Sequence, residues 1–328
     1  MSVALFTLGG TIAMAGRQAT GGVARLTGAE LAAAVPGLAD LGAPVEVQDV
    51  EAVPSANLTV ARMLDVVDAA SKAVSDGATG IVVTQGSDTL EETAFLVDQI
   101  WPHPTPFVLT GAMRNPTLAG PDGPANLLAA VQVAAAPAAR DLGALVVFND
   151  EVHAARWVRK THSTSTATFA SPNAGPIGQV VEGRVRILAR PARQDGVPGR
   201  AEPADLEATR VALYTVTLDD DGLLLQGLAE THQGLVVAGY GAGHVPSALA
   251  PVLGALAERI PVVLTSRTGG GSVLRNTYSS AGSESDLLRR GLINGGFLDP
   301  YKAKVLLRLL LATGEGHDDI TAAFAQHS

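Results

Sequence analysis

The chain has 328 residues, with 23 Lys and Arg against 32 Asp and Glu, giving a formal charge of −9 at pH 7. That balance argues against nucleic acid or another polyanion as partner, because phosphate binding draws on clustered Lys and Arg that release counterions. Hydrophobic residues at 47% exclude a disordered chain, and the absence of cysteine excludes disulfides, thiolate catalysis and Cys-ligated zinc.

In chain order, Met1-Ser2-Val3-Ala4-Leu5-Phe6 carries no basic region or small-residue cleavage site, so a cytoplasmic address is expected. Short β-rich runs at Val3 to Thr7, Gly80 to Thr84, Phe107 to Thr110 and Ala144 to Phe148 alternate with helical spacing at Ala29 to Val35, Val60 to Ser75, Glu91 to Ile100 and Ala125 to Ala135. Alternation of this kind predicts β-α units around a largely parallel sheet. Residues 189–208 shift to Pro191, Arg193, Asp195, Gly196, Pro198, Gly199 and Pro203, which reads as an interdomain linker. Strands near Arg210 to Tyr214, Gly234 to Ala238 and Pro261 to Leu264 then return, with helices near Ala248 to Arg259 and Pro300 to Thr313. The longest apolar stretches are broken by Gln132, Pro137 or Arg308, short of the roughly 18 residues a membrane span needs, so no membrane partner is expected. The expectation is therefore an α/β chain: a flavodoxin-like parallel-sheet N-terminal domain over 1–188, a linker over 189–208 and a smaller α/β domain over 209–328.

Reactive groups in parallel sheets gather at the carboxyl ends of strands, where helix N-termini offer free amides. The first strand runs into Leu8-Gly9-Gly10-Thr11-Ile12, where paired glycines admit a ligand near the backbone beside the Thr11 hydroxyl; a tight turn with a capping threonine has the same sequence. The Gly80 to Thr84 strand ends in Gln85-Gly86-Ser87-Asp88-Thr89-Leu90-Glu91-Glu92-Thr93, which reads either as a capping box or as a hydroxyl and carboxylate poised at a helix start. Phe107 to Thr110 leads to Gly111-Ala112-Met113-Arg114, and Asn149-Asp150 is followed by Arg159, Lys160, Thr161 and His162. Lys160 is either a surface residue or, if buried, a base towards a nearby hydroxyl.

Together these motifs, with Asp122-Gly123-Pro124-Ala125-Asn126-Leu127 and Ala167-Thr168-Phe169, resemble the bacterial-type, threonine-dependent L-asparaginase family over nearly the whole chain. The resemblance implies hydrolysis of L-asparagine to L-aspartate and ammonia, without a cofactor or metal. Thr11 matches the acylated nucleophile, Ser87 stands where the family usually has a second threonine, and Asp88 matches the aspartate that binds the substrate's α-amino group. Lys160 matches the paired lysine. Ser55 falls where relatives bind the α-carboxylate, and Ala112 matches a backbone carbonyl contact near the amide; Gly10 and Gly86 complete the binding loops. The resemblance further implies a homodimer or homotetramer, with each site completed across an interface.

The sequence departs from the family where a mobile loop should carry a tyrosine: Ala19-Thr20-Gly21-Gly22-Val23-Ala24-Arg25 has none. The four tyrosines lie at 214, 240, 278 and 301. Tyr278 falls near the position of a family glutamate that enters the neighbouring subunit's site, so Tyr278 donated in trans, assisted by Glu284, is the expected substitute. A surface aromatic is the alternative. Gly239-Tyr240-Gly241-Ala242-Gly243-His244 departs from a frequent asparagine in relatives, which leaves asparagine against glutamine open.

Other readings have weaker motifs. The Gly239 to Gly243 loop does not complete GxGxxG, and no GxxxxGK[ST], GxSxG or HExxH occurs. A non-catalytic amino-acid sensor on the same fold, a glutaminase and an asparaginase-like amidotransferase subunit remain as alternatives.

Overall fold

The computed structural model describes residues 2–17 and 23–327. Part of the loop that lacks the family's tyrosine, residues 18–22, lies outside the described residues. The chain divides into two compact units, Met1–Gly196 and Val197–Ser328.

The first unit opens with β1 (Ser2–Thr7), the ribbon β2 (Met14–Arg17) and β3 (Val23–Arg25), and α1 (Gly28–Ala33). There follow β4 (Val45–Asp49), α2 (Val60–Ser75), β5 (Ala78–Thr84), α3 (Leu90–Ile100), β6 (Phe107–Thr110), α4 (Gly123–Ala135) and β7 (Ala144–Phe148). The last strands are β8 (Glu151–Ala154), β9 (Arg159–Lys160), β10 (Phe169–Ala170), β11 (Gly178–Val181) and β12 (Arg184–Ile187).

Its main sheet has the order β12-β11-β8-β7-β6-β5-β1-β4. The strands β4, β1, β5, β6 and β7 pair in parallel, whereas β8, β11 and β12 extend the sheet antiparallel. Taken alone and in chain order, the parallel strands lie 2-1-3-4-5, the flavodoxin order, whose topological switch point falls between its first and third strands, here β1 and β5.

Alternation along the strands builds the core. Val3, Leu5, Val82, Val108 and Leu145 face one side and join Leu127, Ala130, Val131 and Ala134 of α4. Gly80 is required there, since a Cβ would sit 2.2 Å from the Ala134 carbonyl oxygen. Helix starts follow local chemistry: Thr27 and Glu30 form a capping box on α1, Thr59 accepts from the Arg62 amide on α2, and Pro124 occupies the first turn of α4.

Much of the stretch read as a linker is bound to the first unit. Arg190 donates to the Ala138 and Arg140 carbonyls, and Arg193 to those of Trp101 and His103. In the second unit, α5 (Pro203–Ala208) precedes β13 (Val211–Thr215), α6 (Leu228–Thr231), β14 (Gly234–Gly239), α7 (Leu249–Ala257) and β15 (Val262–Ser266). After α8 (Glu284–Arg289) and β16 (Ile293–Asn294), α9 (Pro300–Ala312) and α10 (His317–Ala325) close the chain. Strands β13 to β16 form a parallel sheet in sequence order. Among the described residues no helix is long and apolar enough to cross a membrane.

Candidate active site

The site candidates gather at the switch point of the first sheet. The Leu8 amide donates to the Thr84 carbonyl at 2.8 Å and the Gln85 amide to the Thr110 carbonyl at 3.1 Å, so the chain stays in register just past the ends of β1, β5 and β6. Gly10 then takes φ +86°, and a Cβ there would lie 2.4 Å from the Gly86 amide nitrogen. Gly86 in turn leaves no room on its far side, where a Cβ would meet Ser55 Oγ at 2.7 Å. These two positions require glycine, one for its left-handed backbone and both for the close approach.

The stack has a chemical consequence. Thr11 follows Gly10 and opens a single 3₁₀ turn, Thr11–Ala13; Ser87 follows Gly86 and opens another, Ser87–Thr89. Two hydroxyl-bearing residues thus begin two turns whose preceding glycines touch. The capping reading of the second motif is not realised: the side chain of Thr89, at the α3 N-cap, makes no cap bond and donates instead to the Ser55 carbonyl at 3.1 Å. Ser55 is 3% exposed, and its Oγ has no hydrogen-bond partner among the described residues. A buried hydroxyl without a partner is uncommon and marks a place where a ligand atom can bond.

Lys160 arrives from 73 residues beyond Ser87, and its Nζ donates to Ser87 Oγ at 2.9 Å and to Asp88 Oδ1 at 2.7 Å. The Lys160 side chain is 15% exposed against 72% for Asp88, so the ammonium is largely sheltered while the carboxylate keeps an open side. Both lysine bonds are charge-assisted and hold the serine oxygen in one place. Since Ser87 Oγ accepts from Nζ, its own hydrogen is free to turn into the site.

Lys160 is placed by a minimal hairpin. β9 pairs with β10 antiparallel, with Lys160 opposite Phe169. Beside it Arg159 Nε lies 3.9 Å from Glu91 Oε2 on α3, and the Thr161 amide and hydroxyl both donate to the Thr168 carbonyl.

The Gly111 to Arg114 loop is fixed from α4. Asp122 accepts from the Met113 and Arg114 amides, and Asn126 Nδ2 donates to the Gly111 carbonyl at 3.0 Å while its Oδ1 accepts from the Asn149 amide at 2.9 Å. Ala112 is buried in this loop. Asp122 and Asn126 lie in the Asp122 to Leu127 motif and Glu91 in the run that follows β5, whereas the approach of Arg159 to Glu91 has no local signal in the sequence.

Gly10, Thr11, Ser55, Gly86, Ser87, Asp88 and Lys160 are therefore brought together in the first unit, with Ala112 in the neighbouring loop. Tyr278 belongs to the second unit. It is 50% exposed, its amide donates to Glu284 Oε1 at 2.7 Å, and its ring meets that of His244 edge-on at 4.8 Å. Glu284 is fully buried, and His244 Nε2 lies 3.4 Å from its Oε2.

The fold and the site define a two-unit α/β protein with hydroxyls, an ammonium and a carboxylate clustered at the switch point of its first sheet. Residues 2–193 match the family described as asparaginase, N-terminal, and residues 210–324 match the glutaminase/asparaginase C-terminal domain. The chain belongs to the asparaginase family. It is 36% identical over 297 residues to a probable L-asparaginase of Deinococcus radiodurans, covering 89% of this chain and 88% of that one. With L-asparaginase 2 of Escherichia coli it shares 32% over 338 residues, covering 99% and 93%. The crystal structure of a probable cytoplasmic L-asparaginase from Campylobacter jejuni superposes with a TM-score of 0.86 at 30% identity, covering 99% of both chains.

Proposed function

We propose that this protein hydrolyses L-asparagine to L-aspartate and ammonia through an acyl-enzyme on Thr11. The observation that carries the reading is the Lys160 ammonium bridging Ser87 Oγ and Asp88 Oδ1 at the strand end that touches Gly10, the residue before Thr11.

In the first half-reaction Thr11 Oγ1 attacks the side-chain amide carbon, its proton passes to the departing nitrogen, and the C–N bond breaks to release ammonia. Backbone amides of the glycine-flanked turns are the donors for the transient oxyanion. In the second half-reaction water adds to the ester carbon, the C–O bond to Thr11 breaks, and aspartate leaves with Thr11 regenerated. Ser87, held by Lys160, directs its hydrogen to that water or to the attacking hydroxyl. The open side of Asp88 takes the substrate ammonium, the Ser55 hydroxyl takes the α-carboxylate, and the Ala112 carbonyl faces the amide group. A substrate lacking either backbone charge leaves such groups unpaired on desolvation and is rejected.

Tyr278 of a second copy supplies the phenol that the first-strand loop lacks, in a homodimer or homotetramer. This reading goes with a cytoplasmic address, as described for the Campylobacter relative; a Haemophilus influenzae relative is described as periplasmic. Tyr278→Phe is expected to lower kcat by about 100-fold, the lower range for loss of one acid–base group, with the oligomer intact by sedimentation; wild-type turnover in an intact assembly removes Tyr278 from the reaction.

The whole reading is tested by ammonia release from L-asparagine and from L-glutamine by the purified protein. Faster release from asparagine is expected. No release from either, with saturable aspartate binding, overturns the enzyme in favour of an amino-acid sensor.

A further inference from the structure

The hairpin that delivers Lys160 consists of two strands of two residues each, too short to hold a position by themselves. Its anchors therefore set where the lysine sits. Phe169, opposite Lys160, meets the Phe148 ring of β7 with centroids 4.8 Å apart. One residue past β10, buried Ser171 bonds through Oγ to His153 Nδ1 at 2.9 Å.

His153 stands on β8 with no exposed surface. Burial pushes its imidazole down to about 4, so the ring is neutral at pH 7. Glu151 Oε2 lies 3.2 Å from Nε2, yet Nε2 makes no hydrogen bond among the described residues. With Nε2 carrying the ring proton, Nδ1 accepts the Ser171 hydrogen. Burying a polar ring for one bond is costly, and an aliphatic residue would fill a strand interior without that cost. What the bond provides is a fixed exit for β10.

We propose that His153 is a positioning residue for Lys160: through Ser171 it fixes β10, and thereby the β9 lysine whose Nζ holds Ser87 and Asp88. The inference rests on Lys160 acting in the reaction described above.

The test uses the full-length protein labelled with ¹³C at lysine Cε. The chain has four lysines, at 72, 160, 302 and 304, and Lys160→Arg assigns the signal of interest. In Ser171→Ala and in His153→Leu the Lys160 Cε–H signal moves, and kcat falls about tenfold with KM unchanged, since a displacement of ~1 Å near reacting groups can cost up to about 100-fold. His153→Asn, which returns an acceptor near the Nδ1 position, restores both. The Lys72 signal stays in place throughout.

If His153→Leu does not fold, Ser171→Ala decides. A folded Ser171→Ala protein with an unmoved Lys160 signal overturns the proposal whatever its melting temperature, as does a moved signal with wild-type kcat. The lysine signal needs no turnover. A moved signal in a protein that never releases ammonia therefore supports the placement while sinking the asparaginase reading.

Discussion

Replacing Lys160 with Met is expected to lower kcat on L-asparagine by about 1,000-fold, within the usual range for a group that manages a proton in the transition state. The fold should persist. Met keeps the length of the lysine stem, Asp88 is 72% exposed and can take water in place of the ammonium, and the backbone pairing of Lys160 with Phe169 does not involve the side chain. What disappears is the donor to Ser87 Oγ, so the serine hydrogen loses its direction. Lys160→Arg separates charge from geometry: a planar guanidinium keeps the charge but cannot place one nitrogen between Oγ and Oδ1 at 2.9 and 2.7 Å. It should therefore stay at least tenfold impaired, a loss equivalent to about 1.4 kcal/mol. Initial rates of ammonia release at saturating asparagine, with circular dichroism for folding, check both. A Lys160→Met enzyme within tenfold of wild type would show that Ser87 and Asp88 work without the ammonium.

The legible parts of this molecule were those encoded within a few residues. Gly9-Gly10-Thr11 and Gly86-Ser87-Asp88 each read as strand, glycine and hydroxyl, because the strand run, the breaker and the polar group are neighbours in sequence. The runs Gly80 to Thr84, Phe107 to Thr110 and Ala144 to Phe148 were legible for the same reason, as largely apolar runs bounded by turn residues, although β5 begins two residues earlier, at Ala78. What placed Gly10 on Gly86, and Gly86 on Ser55, was the crossing from β1 to β4 and back to β5. No local spacing carries that information.

Tertiary bonds also overruled local preferences. Thr89 and Glu92 have the spacing of a capping box, yet Thr89 bonds to the Ser55 carbonyl, a partner 34 residues away. The Pro- and Gly-rich stretch from 189 has no periodicity, but Arg190 and Arg193 fasten its first part to carbonyls near residues 101–103 and 138–140. The β9–β10 hairpin is too short for any hydrophobic period to emerge. His153 was invisible for a different reason: a histidine's burial depends on what lies across the sheet, and Glu151-Val152-His153-Ala154 alternates as an ordinary half-exposed strand would.

Thr11→Ala is expected to have the larger effect, a fall in kcat of about 10⁴-fold or more, the scale seen when the nucleophile of an acyl-transfer enzyme is removed. The substitution leaves the turn intact, because Gly10 supplies the left-handed backbone and the bond from the Ala13 amide runs to the Gly10 carbonyl at 3.2 Å rather than to the threonine side chain. Thr11→Ser retains a hydroxyl and should keep measurable turnover; with no branching methyl, its χ1 is less restricted and the attack geometry looser. Acid-quenching the wild type during turnover and digesting it for mass spectrometry should locate an aspartyl ester in the peptide containing Thr11, and Thr11→Ala should lack it. Ser87→Ala supplies the contrast: if Ser87 directs a proton rather than attacking, this variant still forms the Thr11 ester. It accumulates more of it when deacylation slows more than acylation. An ester found on Ser87 in the wild type would exchange the two roles, and the lysine would then sit directly on the nucleophile, 2.9 Å from its oxygen.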